Sequence, residues 1–288
     1  MGGCERYIYD FRLCIREIVD FFYKIWYNIF SNPQNQNLEN DMFTTGHFIW
    51  LGAICLIIAI AFISLKKFKI PEHTVDKAVM ILLIILKIFH MALSMKESKF
   101  GGYILNQTQL SFHLCSIMIY AVIFTNIIKN KKVVAVLKSF MVPCLLIGAA
   151  MAILIPTEGV DPSLPRVWQY MLIHAVLVFY GIYLAVVEKV DLSIKAYFRN
   201  LKMLLLVTLV AFLMNSVLEQ YKTNFLFLRV PPMDNLPLLN LDNGWYVYFL
   251  TLVALACILV FIFQLPFMIS ASRKKDKKPS NTEQQSLS

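Results

Sequence analysis

Four of the five histidines in this 288-residue sequence lie in long apolar runs, where ionisable side chains are unusual. They are His47, His90, His113 and His174, whereas His73 lies in a short lysine-containing stretch. Neutral imidazoles can serve as a general base and as a proton donor toward water or a lipid hydroxyl. Because polar groups inside a membrane are costly, residues of this kind are candidates for a functional site.

Further polar residues are expected at the same level as these histidines. They are Gln109, Cys115, Tyr170, Asn215 and Asn224. His113 and Cys115 are two residues apart, so on a helix their side chains point about 200° apart and a Cys–His dyad between them is not expected. A pair of Cys115 with His174, from another helix, stays open. The alternative for each residue is structural: a membrane histidine often only joins helices, and a cysteine often only packs.

The composition predicts that membrane helices position these residues. Hydrophobic residues make up 58% of the chain. Charged residues make up only 16%, whereas about a quarter of the residues in soluble domains are charged. Seven apolar runs are each close to the ~20 residues that cross a bilayer. They lie near 43–65, 77–95, 109–128, 133–155, 166–187, 201–219 and 245–271. We therefore predict an all-α membrane protein with seven transmembrane helices, preceded by an amphipathic N-terminal helix.

This reading divides the chain into three parts. Residues 1–42 form an amphipathic interfacial helix (5–30) and a polar linker, 43–271 the transmembrane domain, and 272–288 a basic, disordered cytoplasmic tail. Lysines are concentrated after the first, third, fifth and seventh runs, so these loops are expected inside, with the N-terminus outside the cell membrane. A proline in the fourth run predicts a kink, and 220–244 is expected to form a structured cap over the outer mouth.

In this orientation the four membrane histidines lie in the outer half or near the middle, and the inner half is expected to be plainer. Lys138 is expected to reach the inner headgroups, and Lys87 either to do the same or to be a buried partner. The net charge of +9 is assigned to the cytoplasmic loops, so nucleic acid is not expected as a partner. Membrane lipids are the expected partners, with no cofactor, no disulfide and no metal site; nothing in the sequence specifies an oligomeric state.

Four ordered segments resemble the YwaF-like family of bacterial membrane proteins, which is related to eukaryotic transmembrane protein 164. Leu110–Ser116 is similar to a Leu-Pro-Leu-His-Leu-Cys-Ser segment of that family, with Ser111 in place of proline. The other three are Gln169–His174, Asn224–Leu228 with Pro231 or Pro232 after it, and Gly244–Tyr248. The resemblance extends from about 43 to 270.

The resemblance implies a multi-helix fold and, from the eukaryotic relative, transfer of fatty acyl chains between glycerolipids. That relative has a cysteine directly before the matched histidine, where this chain has Phe112, and Cys115 lies two residues beyond it. The cysteine mechanism therefore does not transfer directly. The resemblance implies functional roles for His113 and His174, with Asn224 as a third polar partner.

The sequence thus favours acyl transfer or hydrolysis on membrane lipids in a histidine-lined cavity open to the outer leaflet. His113 and His174 are the expected acid–base pair, Asn224 the orienting group and Cys115 the less favoured nucleophile. The residues expected to bind substrate are His47, His90, Gln109, Tyr170 and Asn215. The alternatives are a transporter or binding protein for a lipid or small solute, and a structural membrane protein without catalysis.

Overall fold

The computed structural model describes residues 43–97, 103–110, 112–232 and 238–276. The predicted helix over 5–30 and the part of the basic tail beyond 276 lie outside these residues. The helices are α1 (Thr45–Phe68), α2 (Glu72–Leu93), α3 (Leu114–Ile127), α4 (Lys131–Pro143), α5 (Ala150–Leu154), α6 (Pro165–Val186), α7 (Ile194–Val217) and α8 (Trp245–Asp276). A π-helical segment, Cys144–Ala149, joins α4 to α5, and short 3-10 turns occupy Gln107–Gln109, Glu219–Tyr221 and Phe225–Phe227.

Local capping residues explain where several helices begin. The side chains of Thr44, Asn130 and Ser193 accept hydrogen bonds from backbone N–H groups in the first turns of α1, α4 and α7. Pro165 is the first residue of α6, where its missing N–H has no consequence. The cap at Ser193 starts α7 seven residues before the predicted sixth run, since polar residues of its first turns interrupt the apolar pattern.

The third helix begins later than predicted. Two short antiparallel strands, β1 (Met95–Glu97) and β2 (Tyr103–Leu105), connect α2 to the turn that precedes α3. Leu110 and His113 both have extended backbone, so the helix starts at Leu114 instead of near residue 109. His113 is consequently the N-cap residue of α3, whereas the predicted run 109–128 would place it one turn inside the helix.

Burial separates a central helix from peripheral ones. In the apolar window of α6, 61% of residues are buried, compared with 11% in α1 and 17% in both α7 and α8. The peripheral helices expose large apolar side chains, such as Ile49, Ile63, Leu206 and Leu250. Such surfaces are unfavourable in water and favourable against lipid. Within the described residues, five helical stretches are long and apolar enough to cross a membrane: Thr45–Phe68, Lys131–Leu154, Pro165–Val186, Ile194–Val217 and Trp245–Ser270.

The irregularity expected at Pro143 is present as the π-helical segment that follows it. Proline lacks the N–H that would continue the ladder of helical hydrogen bonds, and the backbone widens to i→i+5 bonding there. This segment packs closely on α6 at Gly181. A Cβ at Gly181 would lie 2.8 Å from Leu146 Cγ and 3.0 Å from Leu145 Cβ, so only glycine allows this approach.

The end of the bundle opposite the histidines holds a buried ionic network, so the expectation of a plainer inner half is wrong. Lys138 Nζ donates to Asp76 Oδ2 at 2.6 Å and to both carboxylate oxygens of Glu188 at 2.8 Å. The Tyr180 hydroxyl donates to Asp76 Oδ1 at 2.7 Å. Lys138 therefore joins α2, α4 and the end of α6 instead of reaching toward headgroups, because two carboxylates lie within its reach.

Candidate functional site

The ends of α2 and the starts of α3 and α6 bring a group of polar side chains together. We call this group the histidine cluster; it comprises Lys87, His90, His113, Cys115, Ser116 and His174. Lys87 Nζ donates to Ser116 Oγ at 3.1 Å, joining α2 to α3. Lys87 also interacts electrostatically with His90, His113 and Cys115, and His90 does so with His113 and His174. Three of the four predicted membrane histidines are therefore neighbours.

His113 faces an aromatic wall built by the segment after α7. Its ring centroid lies 5.4 Å from that of Phe225, in an edge-to-face arrangement, and 5.7 Å from that of Phe227. Among the described residues, none hydrogen bonds to the His113 ring, and the ring does not cap α3. Both ring nitrogens are thus available to a ligand.

Asn215 holds the aromatic wall in place. It is buried, its Nδ2 donates to Phe225 O at 3.0 Å, and its Oδ1 accepts from Phe225 N at 2.8 Å. The side chain uses both ends of its amide on one residue of the backbone. Asn215 therefore positions Phe225 against His113, and the structure gives it this backbone-holding role.

His174 is held in one tautomer. Its Nδ1 lies 2.7 Å from Tyr170 O, and because a carbonyl oxygen only accepts, Nδ1 must carry the proton. In the neutral ring Nε2 is then unprotonated and can accept a proton. Tyr170 supports this geometry, since its ring lies 4.3 Å from that of His174 and its hydroxyl donates to Ala152 O at 2.9 Å. Tyr170 thus positions His174 through its backbone and ring.

Cys115 lies in the first turn of α3 with a free, half-buried thiol. It interacts electrostatically with Lys87 and Tyr170. A helix N-terminus and a nearby ammonium favour a thiolate, whereas burial of the thiol acts against it and is the larger influence. No hydrogen bond between Cys115 and a histidine occurs among the described residues, so the possible pair with His174 is not formed in this arrangement.

Lys87 is the residue whose importance the sequence left undecided. It is 7% exposed and points toward α3, which selects the buried-partner alternative over extension to the headgroups. Its position was visible in the sequence as a lone lysine in an apolar run, three residues before His90 on the same helix face. What the sequence lacked was the neighbouring helix that supplies Ser116.

His90 meets Gln169 at the α2–α6 contact. The two side chains interact electrostatically, and Gln169 Nε2 donates to Leu86 O at 3.4 Å. Gln169 is buried, so this contact links the histidine cluster to the central helix.

Three predicted residues lie away from the cluster or without a described side chain. His47 is fully buried, with Nε2 donating to Ile153 O at 2.9 Å and Nδ1 accepting from Phe43 N at 3.1 Å. Asn224 bonds to the backbone of its own loop, donating to Val230 O at 2.8 Å. Gln109 ends the 3-10 turn before α3, and its side chain lies outside what the structure describes.

An apolar cavity of about 550 Å³ lies between α2, α3 and α7, and several of its lining residues are close in sequence to cluster residues. Its wall consists of Met91, Leu105, Leu110, Phe112, Ile117, Tyr120, Leu206, Val207 and Val210. Met91 is one helical turn from Lys87, and Phe112 directly precedes His113. In the described part of the chain, no three His, Cys, Asp or Glu side chains are arranged to hold a metal ion.

No curated protein and no solved structure significantly matches this sequence. The sequence model of the TMEM164 family matches residues 42–264, which include α1–α7 and most of α8. This match confirms the family expected from the four ordered segments. It agrees with the helical, apolar structure in indicating a membrane protein. The chain therefore belongs to the TMEM164 family.

Proposed function

We propose that the chain crosses the cell membrane seven times, with its N-terminus outside and its C-terminus in the cytoplasm. The five long apolar stretches are joined in this proposal by α2 and by α3 with the turn before it. α2 carries Lys87 in the protein interior, where it does not face lipid. The basic residues clustered around the C-terminal ends of α1, α3, α6 and α8 support the orientation. Reporter domains fused after residue 276 and in the loop 156–164 test it, and cytoplasmic exposure of that loop would reverse it.

We further propose that the histidine cluster catalyses acyl transfer or hydrolysis on membrane lipids from the outer leaflet. One observation carries this proposal: His113 and His174 both lie close to His90, each with a ring nitrogen that has no partner among the described residues, and an apolar cavity lies between α2, α3 and α7. A site that combines convergent polar groups with an apolar cleft suits a ligand that is itself part polar and part hydrocarbon.

In this mechanism the unprotonated Nε2 of His174 removes the proton from a lipid hydroxyl or water as its oxygen attacks an ester carbonyl. His113 donates a proton to the oxygen that leaves and recovers one from the protonated His174, so that both imidazoles end neutral, and the acyl group ends on the attacking oxygen. Tyr170 fixes the tautomer that this role requires of His174. The Cys115 thiol, activated by Lys87, is the alternative nucleophile, and would carry the acyl group as a thioester before the hydroxyl attacks.

The test is lipid mass spectrometry on proteoliposomes that contain equal amounts of folded wild type, His113→Ala or Cys115→Ala. The matched control is His73→Ala, because this exposed histidine lies in the first turn of α2, at the end of the helix away from His90. We expect acyl exchange or lysolipid formation in wild type and in the control, and its loss in His113→Ala. Activity retained in Cys115→Ala assigns the direct mechanism. Absence of turnover by folded wild type, or unchanged turnover in His113→Ala, would overturn the proposal.

A further inference from the structure

Lys87 places a buried ammonium beside groups that do not neutralise it. Its partner in the structure is the Ser116 hydroxyl, a neutral acceptor 3.1 Å away. Among the described residues, no carboxylate forms an ion pair with Lys87, whereas Lys138 at the other end of the bundle has two. Because a buried charge is costly without a counter-charge, the site is incomplete without an anion.

The start of α3 adds donors to the same place. His113 is the N-cap residue but does not cap the helix with its side chain, and the first turn of α3 contains no acidic residue. In the described chain, the N–H groups of Leu114 and Ser116 have no acceptor, whereas that of Cys115 interacts with its own thiol. These groups and the helix dipole favour an anion, and Ser116 brings Lys87 to the same turn.

Two residues that line the apolar cavity lie close in the sequence to these donors. Met91 lies one turn beyond Lys87 on α2, and Ile117 directly follows Ser116 on α3; both residues line the cavity. A ligand that satisfies both regions has a negative group at one end and a hydrocarbon chain at the other.

We propose that Lys87, Ser116 and the free N–H groups at the start of α3 bind the anionic group of an amphiphile, a carboxylate or a phosphate, with its hydrocarbon chain in the apolar cavity. This inference rests on the proposed function only in taking the ligand from membrane lipids. Lys87 then orients the ligand relative to His113 and His174 and fixes which end of it enters the cluster.

Binding is tested without turnover, using purified full-length protein in nonionic detergent. Three diazirine probes share one long alkyl chain and differ in the end group: a carboxylate, a monoalkyl phosphate and an uncharged alcohol. Photolabelling is quantified at a series of probe concentrations for wild type, Lys87→Met and Lys87→Arg. Lys77→Met is the matched control, because Lys77 is an exposed lysine of the same helix.

We expect at least one anionic probe to bind wild type and Lys77→Met about tenfold or more tightly than the alcohol does. A hydrogen bond to a charged group contributes enough binding free energy for a difference in affinity of this size. In Lys87→Met the anionic probes should bind only as tightly as the alcohol. In Lys87→Arg part of the difference in affinity between anion and alcohol should remain. Preference for the carboxylate identifies a fatty-acid ligand, and preference for the phosphate identifies a headgroup.

Equal binding of anions and alcohol by wild type would overturn the inference, whatever the variants do. Unchanged anion preference in folded Lys87→Met would overturn it as well. If Lys87→Met does not fold, Ser116→Ala replaces it, with the same expected weakening. Anion binding that depends on Lys87, in a protein without lipid turnover, would support this site and refute the proposed catalysis; turnover without anion preference would do the reverse.

Discussion

Replacing Lys138 by methionine should destabilise the protein more than the loss of any exposed lysine. Lys138 Nζ lies 2.6 Å from Asp76 Oδ2 and 2.8 Å from the nearest oxygen of Glu188, and the three side chains are 11%, 17% and 10% exposed. Removing one partner of a buried ion pair costs about 3–5 kcal/mol, whereas an exposed pair contributes about 0–1 kcal/mol. Since two carboxylates lose their counter-charge here, we expect a loss of about 3–5 kcal/mol or more in the free energy of unfolding.

The measurement is unfolding by SDS titration in mixed micelles, followed by circular dichroism at pH 7. Lys132→Met makes the same change at an exposed position of α4 and should change stability by less than about 0.5 kcal/mol. The triple variant Lys138→Met, Asp76→Asn, Glu188→Gln removes all three charges. It should recover most of the loss, because the destabilisation comes from the unpaired carboxylates.

The pH dependence gives the sign of the effect. Burial raises the pKa of Glu188, which lies just beyond the end of α6, and removal of Lys138 should raise it further. A carboxyl group with a raised pKa in the folded state opposes folding above that pKa, and this opposition disappears as the pH falls through it. The deficit of Lys138→Met relative to wild type should therefore shrink on acidification. A deficit below about 1 kcal/mol at pH 7, or a triple variant no more stable than the single one, would refute the reasoning.

Three further substitutions test the packing around the site, each by thermal unfolding of the purified protein. His47→Phe should lower the free energy of unfolding by about 1–3 kcal/mol for each backbone group left without a partner. Lipid turnover per folded molecule should stay unchanged. Asn215→Ala should lose a similar amount and also lower turnover, because Phe225 is released from its place against the reacting histidine; normal turnover would argue against a positioning role. Gly181→Ala should lose about 1–3 kcal/mol through overpacking, whereas Gly52→Ala, whose added Cβ meets nothing within 4 Å, should be neutral or slightly stabilising.

Local sequence patterns were sufficient to predict the helices, because apolar runs and capping residues act over short distances along the chain. Each predicted run overlaps a helix, and the boundaries moved where a cap or an extended residue intervened, as at Ser193 and Leu110. The family was also readable, since its motifs are short and occur in order. The convergence of His90, His113 and His174 followed from alternating helix directions, which place the end of α2 and the starts of α3 and α6 on one side.

The roles of individual polar residues depended on partners distant in the chain. His47 and His113 both lie in apolar runs of the sequence. Both ring nitrogens of His47 form hydrogen bonds to the backbone of Ile153 and Phe43, while the ring of His113 forms none among the described residues. Asn215 proved to hold Phe225, and Asn224 its own loop, because the segment after α7 folds back on the helices.

By itself, the sequence determined that the chain forms long apolar helices, where most of them begin and end, and which family it belongs to. These properties depend on residues within one or two helical turns of each other. Only the tertiary structure decided that Lys87 faces Ser116 and that Lys138 is held by two carboxylates. For the two lysines the partner lies 29 or more residues away, so helix packing, and not local pattern, selects the contact.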